Sequence, residues 1–482
     1  MQILKSVHFK IISLFVVIFV LAGCKIVSTL VLVPKAEPLK SDVVFYLTLP
    51  DQSTLFQKQN VSLLFSENSN SPSIIEIDEN KTFQQIDGFG YTLTGGSASL
   101  INNLSSPHKE NLLKELFLRD STHIGVSYLR ISLGASDLSN SPYTYDDMPD
   151  GKTDVSLNNF NIERERTDLI PILKQIILLY PEIKIMASPW TAPTWMKTNN
   201  SFVGGQLKPE CYSVYANYFV KYIRAMEAEG IVIDAITPQN EPLHDGNNPS
   251  MYMPALEQAS FIKNHLGPAF ESAGIKTKII IYDHNADKTE YPIAILNDSK
   301  ARKYIDGSAF HLYGGNIEQL STVHNAHPDK AIYFTEQWVG GPGNFAGDLQ
   351  WHVNNLIIGA ARNWSRTVLE WNLAADASYR PHTNGGCTNC LGALTISSST
   401  EFTRNVAYYI IAHASKFVRP GSIRIESTNM GKLQNVAFKT PEGKKVLIVL
   451  NSSDATQSFA IKFGSKYVAS SLNAGAVGTY VW

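Results

Sequence analysis

The chain predicts an α/β fold: a parallel (β/α)₈ TIM barrel with a β-sandwich domain attached. Eight short apolar runs alternate with amphipathic stretches between residues 85 and 370, the pattern of repeated βα units. After about residue 415 the helical spacing gives way to short alternating runs broken by turn residues. Each barrel run is followed by polar or aromatic side chains, where such a barrel assembles a site.

The N-terminus reads as a targeting segment. Lys5, His8 and Lys10 precede an apolar run over 11–22, which is short for a membrane span. Leu21-Ala22-Gly23-Cys24 resembles a bacterial lipobox, which implies cleavage before Cys24 and a lipid on its thiol. A transmembrane anchor, or cleavage elsewhere, is the alternative. The lipobox reading puts the protein in the cell envelope, touching membrane only through that anchor. Metabolic labelling with a fatty acid tests it.

The expected division is 1–23 signal peptide, 24–80 tether and strands joining the sandwich, 81–415 barrel, and 416–482 sandwich. Before the barrel, residues 62–65 and 74–77 read as strands. The barrel strands are expected over 85–89, 126–131, 183–187, 235–237, 278–281, 307–311, 331–334 and 367–370. Leu112, Leu113, Leu116 and Phe117 recur at helical spacing over 107–117, and 169–179, 212–229 and 257–272 behave likewise. The sandwich strands are expected over 423–426, 433–439, 445–450, 458–463 and 479–482.

Composition narrows the partners. Among 482 residues, 41 Lys and Arg oppose 43 Asp and Glu, a net charge of −2. That balance gives no field for nucleic acid or an anionic membrane, so the substrate is neutral or held by local groups. The 21 Tyr and seven Trp suit stacking on sugar faces, although most such rings serve the core. Cys387 and Cys390 have the spacing of half a zinc site, but only Cys211 remains besides Cys24. A small disulfide loop is the expectation for an exported chain.

Two glutamates stand out, each after an apolar strand: Glu241 in Gln239-Asn240-Glu241-Pro242, and Glu336 in Phe334-Thr335-Glu336. An unpaired buried carboxyl is costly, so two at strand ends suggest a pair converging on one pocket. Glycosidic hydrolysis needs that pair. Other rim residues are Arg130 and Ser132, Trp190, Asn240, Asp283 and His284, His311 and Tyr313, then Glu370, Trp371 and Asn372. No rim constellation reads as a metal site, and no cofactor is expected.

At these motifs the chain resembles glycoside hydrolase family 30, which includes lysosomal glucosylceramidase and microbial β-1,6-glucanases. The resemblance rests on residues 188–199, 239–242, 334–338 and 371–374. It implies a (β/α)₈ barrel with a β-sandwich, Glu241 as acid/base and Glu336 as nucleophile. It places Arg130 and Tyr313 beside the nucleophile, and Trp190 and Trp371 as walls of the sugar pocket. Trp195 reads equally as wall or core.

Physical reasoning adds roles. Glu336 must be ionised at rest and Glu241 protonated, its pKa raised by burial and the neighbouring charge. Asn240 can hydrogen-bond a 2-hydroxyl. His311 is expected to meet the sugar or to orient Glu241 or Tyr313; Asp283 is expected to support the site. Glu370 is expected to face solvent or pair with an arginine such as Arg130. In glucosylceramidase-like members the first loop carries an acid; here Gly95 stands in its place, which favours a polysaccharide and an open pocket end. The expected function is therefore a retaining hydrolase of β-linked glucan, foremost 1,6-linked. The alternatives are a glucosylceramidase or β-glucosidase, or a non-catalytic surface carbohydrate-binding lipoprotein.

Overall fold

The computed structural model describes residues 39–482. The signal segment and Cys24 lie outside the described residues. Among the described residues no helix is long and apolar enough to cross a membrane.

Eight parallel strands close into a barrel in sequence order: Gly88–Thr92, Tyr128–Ser132, Lys184–Ser188, Ala235–Ile236, Lys278–Asn285, Gly307–His311, Ala331–Glu336 and Ser365–Glu370. The last pairs with the first, Thr367 opposite Gly88. Helices such as Ser106–Phe117, Leu169–Leu179 and Tyr212–Ala228 turn their leucines, isoleucines and tyrosines onto the outer face of the barrel. The expected helix at 257–272 is broken into Ala255–Phe261, a π-helical turn Ile262–Leu266, and Gly267–Ala273. Pro268 supplies the reason, since it has no N–H to continue the ladder.

The first barrel strand begins three residues later than expected, at Gly88. Residues 85 and before it belong to a different sheet, as the end of the long strand Ile74–Gln85. That strand runs beside Ile423–Ser427 and Gln457–Phe463 in a nine-stranded sheet. Val44–Thr48 and Gln57–Lys58 extend the other side of this sheet. The expected strand at 62–65 is irregular backbone, held by Asp42 and Val43 N–H groups donating to Leu63. Lys466–Leu472 is a strand without an expected counterpart; its two serines and single buried valine hide the alternation. Phe459 meets Tyr480 edge-on at 5.9 Å, although their strands are far apart in the sheet order. The sheet therefore folds over its own apolar face, forming the β-sandwich.

Barrel and sandwich share a sealed boundary. His413 bridges Thr48 and Thr479, 2.8 Å to each, and burial lowers its pKa to about 3, which keeps it neutral. The Arg362 guanidinium donates to Ser427 and Asn435 carbonyls of the sheet.

Inside the barrel, Tyr128, Met186, Ala235, Ile280, Ala309, Tyr333 and Leu369 form one buried cluster. Bulky tyrosines fill the space that the alanines leave. This apolar plug is the floor on which the polar residues stand.

Candidate active site

Arg130 is the centre of the polar layer. It has no exposed surface, and its guanidinium binds four groups, with Nε donating to the Ser188 hydroxyl at 3.2 Å. Nη1 donates to Glu336 at 2.6 Å; Nη2 donates to Asp283 at 2.8 Å and to the Asn240 side-chain oxygen at 2.6 Å. Its plane lies 4.8 Å from the Trp190 ring centre. A planar donor fork suits such a junction better than an ammonium.

Asp283 is the other anchor. One oxygen accepts from Arg130 and Thr237, the other from Thr335 and His311. Burial opposes its charge, but Arg130 and these donors outweigh burial and hold its carboxyl far below the usual range. Strict strand alternation does not predict this convergence. Register shifts at Tyr282/His284 and at Phe334/Glu336 bend strands five and seven. They let Thr335 and Glu336, adjacent in sequence, both enter the polar layer. Asp283 and Glu241 have left-handed backbones, φ +66° and +44°, stabilised by the Glu241 N–H donating to Asp283 O at 3.0 Å.

Glu241 and Glu336 face one another. A carboxylate oxygen of each, and a ring nitrogen of His311, lie within 4.8 Å of one another. The Tyr313 hydroxyl donates to Glu336 at 3.0 Å. His311, expected to meet the sugar or to orient Glu241 or Tyr313, has no exposed surface. It lies beneath the carboxylates, Nδ1 3.1 Å from Glu241 and Nε2 3.2 Å from Asp283. Burial opposes charge on this imidazole, yet Glu336, Asp283 and Glu241 lift its pKa to about 9.

This ring works against the rise expected for Glu241. Burial raises Glu241, but the charged His311 outweighs burial and holds it below the ordinary glutamate range. Burial lifts Glu336, and the charges of His311 and Arg130 oppose that rise. Glu241 and the His311 Nδ1 share a 3.1 Å hydrogen bond across which a proton can pass.

A linked stability effect follows. The folded state raises the His311 pKa, so its contribution is fully present below the unfolded value, about 6.5, and is lost as pH rises through about 9. Denaturant midpoints measured from pH 6 to 10 should fall in the wild type. The fall should be smaller in His311→Asn; equal slopes would count against the charged ring.

Above this layer lies a cleft of about 400 Å³ lined by both glutamates, Asn240, His284, Tyr313, Trp190 and Trp371. The two tryptophan rings stand 5.5 Å apart, tilted by 30°. Because Asn240 accepts from Arg130 through its oxygen, its NH₂ is left to donate into the cleft. His284 lies 3.9 Å from Glu241; burial lowers its pKa to about 4, so it is neutral. Trp195 belongs to the core, its indole N–H donating to the Asp146 carbonyl. Glu370 neither faces solvent nor meets Arg130: it is buried against His352 at 2.8 Å.

Several lining residues were not expected, among them Asp137, His244, Asn285 and Trp338. Cys387 and Cys390 form a disulfide, and that disulfide is part of the cleft wall. Gly95 does not open the cleft. Gly96 N–H donates to Leu138 O at 3.0 Å, and a Cβ on Gly95 would meet Ser139 Oγ at 3.4 Å. The segment 137–139 covers the place, and its Asp137 lines the cleft. The signal available in sequence was only that Asp137 follows the second strand by a few residues.

Paired carboxylates at a barrel mouth walled by tryptophans have the chemistry of a glycoside hydrolase. The chain belongs to glycosyl hydrolase family 30. The family's TIM-barrel domain matches residues 86–418 and its β-sandwich domain matches 421–480. The chain is 37% identical over 413 residues to an endo-1,6-β-D-glucanase of Aspergillus fumigatus, covering 80% of this chain and 82% of that one. It is 29% identical to the lysosomal acid glucosylceramidase of Mus musculus, covering 85% and 83%. Among solved structures an endo-β1,6-glucanase superposes with a TM-score of 0.85 at 35% identity, over 92% of this chain and 99% of that one.

Proposed function

We propose that this chain is an endo-acting β-1,6-glucanase that works by retaining double displacement. The carrying observation is the carboxylate separation. An oxygen of Glu241 lies within 4.8 Å of one of Glu336, close to the separation of about 5–5.5 Å used for direct attack and short of the roughly 6.5–9.5 Å that admits a water. The substrate reading is supported by the relatives named as endo-1,6-glucanases.

Glu336 is the nucleophile, held as a carboxylate by Arg130 and oriented by Tyr313. Glu241 is the acid/base. Its proton comes from His311: transfer across their 3.1 Å contact leaves a neutral ring whose Nε2–H still donates to Asp283. Glu336 attacks the anomeric carbon while Glu241 gives its proton to the departing oxygen. The ester neutralises Glu336, which makes Glu241 easier to ionise for its second task, taking a proton from water. The Asn240 NH₂ meets the 2-hydroxyl, and Trp190 and Trp371 face the ring.

Glu241→Ala tests the assignment. Turnover of β-1,6-glucan should fall by about 10²–10⁴-fold. Formation of the covalent intermediate from an aryl β-glucoside with an acidic phenol should be nearly spared, because that leaving group needs no proton. Equal losses on both substrates would remove Glu241 from the acid role. NMR of the first products should show the β anomer; an α anomer would end the retaining reading. Hydrolysis of β-1,6-glucan, β-1,3-glucan and glucosylceramide side by side decides the substrate.

A further inference from the structure

We propose that Asp146 and Asp154 form a binding site for a hard divalent cation, Ca²⁺ foremost, in the loop between the second barrel strand and the helix Leu169–Leu179. The site stands outside the catalytic cleft, which neither residue lines, and the glycosidase mechanism makes no use of it.

The segment from Asp146 to Asp154 carries four aspartates: Asp146, Asp147, Asp150 and Asp154. A run of acids is ordinary on a surface, and what each one touches separates them. Asp147 is engaged locally, accepting from the Thr144 N–H at 3.0 Å and the Thr144 hydroxyl at 2.6 Å. Asp154 is half engaged. Its Oδ2 accepts from the Asn159 N–H at 2.6 Å and from the Asn159 amide at 2.8 Å, which leaves Oδ1 available.

Asp146 differs from both. It is 1% exposed, and neither of its carboxylate oxygens has a hydrogen-bond partner. The Trp195 indole N–H beside it donates to its main-chain carbonyl instead, at 3.0 Å. The charged groups that this carboxylate faces are Asp154 and Asp147, and burial followed by the Asp154 charge raises its pKa to about 6 in spite of the indole. Lys221, the lysine that reaches into this loop, donates to the Leu157 carbonyl at 2.6 Å. A buried carboxylate without donors, turned towards another carboxylate, is costly unless a cation or a proton joins them. Ca²⁺ takes carboxylate oxygens together with backbone carbonyls and waters in irregular geometry, which a loop can provide.

The backbone that projects Asp146 is already fixed. The Tyr145 N–H donates to the Tyr218 hydroxyl at 3.0 Å, and the Tyr145 hydroxyl donates to Glu165 at 2.9 Å. The Asn161 N–H donates to the Tyr145 carbonyl at 2.9 Å. An ion held here ties the loop after strand two to Trp195, in the loop after strand three.

Wild-type protein stripped with EDTA should gain roughly 2–4 °C in melting temperature when millimolar CaCl₂ is restored. Tb³⁺, which takes the same oxygen ligands, should luminesce on tryptophan excitation because Trp195 lies against Asp146, and excess Ca²⁺ should remove that emission. Asp146→Asn should lose both responses. Asp154→Asn should lose them too; its amide oxygen can still accept from the Asn159 N–H, so this variant decides the matter if the first folds poorly. Glu336→Gln should keep both, which separates the site from the carboxylate pair of the cleft. A wild type indifferent to Ca²⁺ and Tb³⁺, or aspartate variants that respond as the wild type does, overturns the proposal. So does stabilisation by acid alone, which would give the space between the two carboxylates to a shared proton.

Discussion

Glu336→Gln should abolish turnover, lowering kcat/KM by on the order of 10⁴-fold or more, at about 1.4 kcal/mol of barrier per decade. The amide is isosteric and can still accept from Tyr313, but it cannot form a glycosyl ester. Folding should survive, since Arg130 keeps Asp283 at 2.8 Å and Asn240 at 2.6 Å. Glu336→Ala gives the sharper result. It opens space on the face from which the carboxylate attacks, so azide should restore part of the rate with an activated aryl glucoside. The product should be the α-glycosyl azide, because a single displacement inverts. A Glu336→Gln enzyme with wild-type turnover would remove this residue from the chemistry.

Arg130→Met should have the largest effect on stability, about 3–5 kcal/mol, because it strips the cation from buried carboxylates. In the wild type Arg130 helps to depress the Asp283 pKa, so that interaction stabilises the fold above the unfolded carboxylate pKa and is lost only in acid. Without Arg130, Asp283 and Glu336 remain buried with only His311 as a cation nearby. Their pKa values should rise. A carboxyl with a raised folded-state pKa destabilises the fold as pH climbs above the unfolded value. The gap between variant and wild type should therefore be widest near pH 7 and narrow towards pH 4. Denaturant titrations at both values decide it; an equally stable variant at pH 7 would show that the guanidinium contributes little. Activity should be lost with it, since Glu336 loses its partner and Asn240 its orientation.

The barrel was legible because its signal is repeated: apolar runs and amphipathic stretches alternate from strand to strand. The polar rim was legible for the same reason, because a side chain after a barrel strand has only one place to go. What the sequence hid was local. Two bulges bring Asp283, Thr335 and Glu336 together against simple alternation. A buried imidazole, His311, lies within hydrogen-bond reach of Glu241 and bears on its charge. Asp137 gave only a faint signal, its place a few residues after the second strand, since one aspartate in a polar loop looks like many others until the 381–390 segment is seen to cover it. The strand Val44–Thr48 was missed because its partner, Val477–Val481, lies more than four hundred residues away, and edge pairing across that distance leaves no local pattern.

That distant pairing has a consequence for how the molecule can be made. Three strands of the sandwich precede the barrel and six follow it. During translation the barrel's residues emerge before its neighbour is complete, and the early strands wait with open edges until the last ones leave the ribosome. A vector that expresses the catalytic half alone would strand those edges and uncover the surface around His413 and Arg362. Anyone trimming this enzyme for use should keep both flanks.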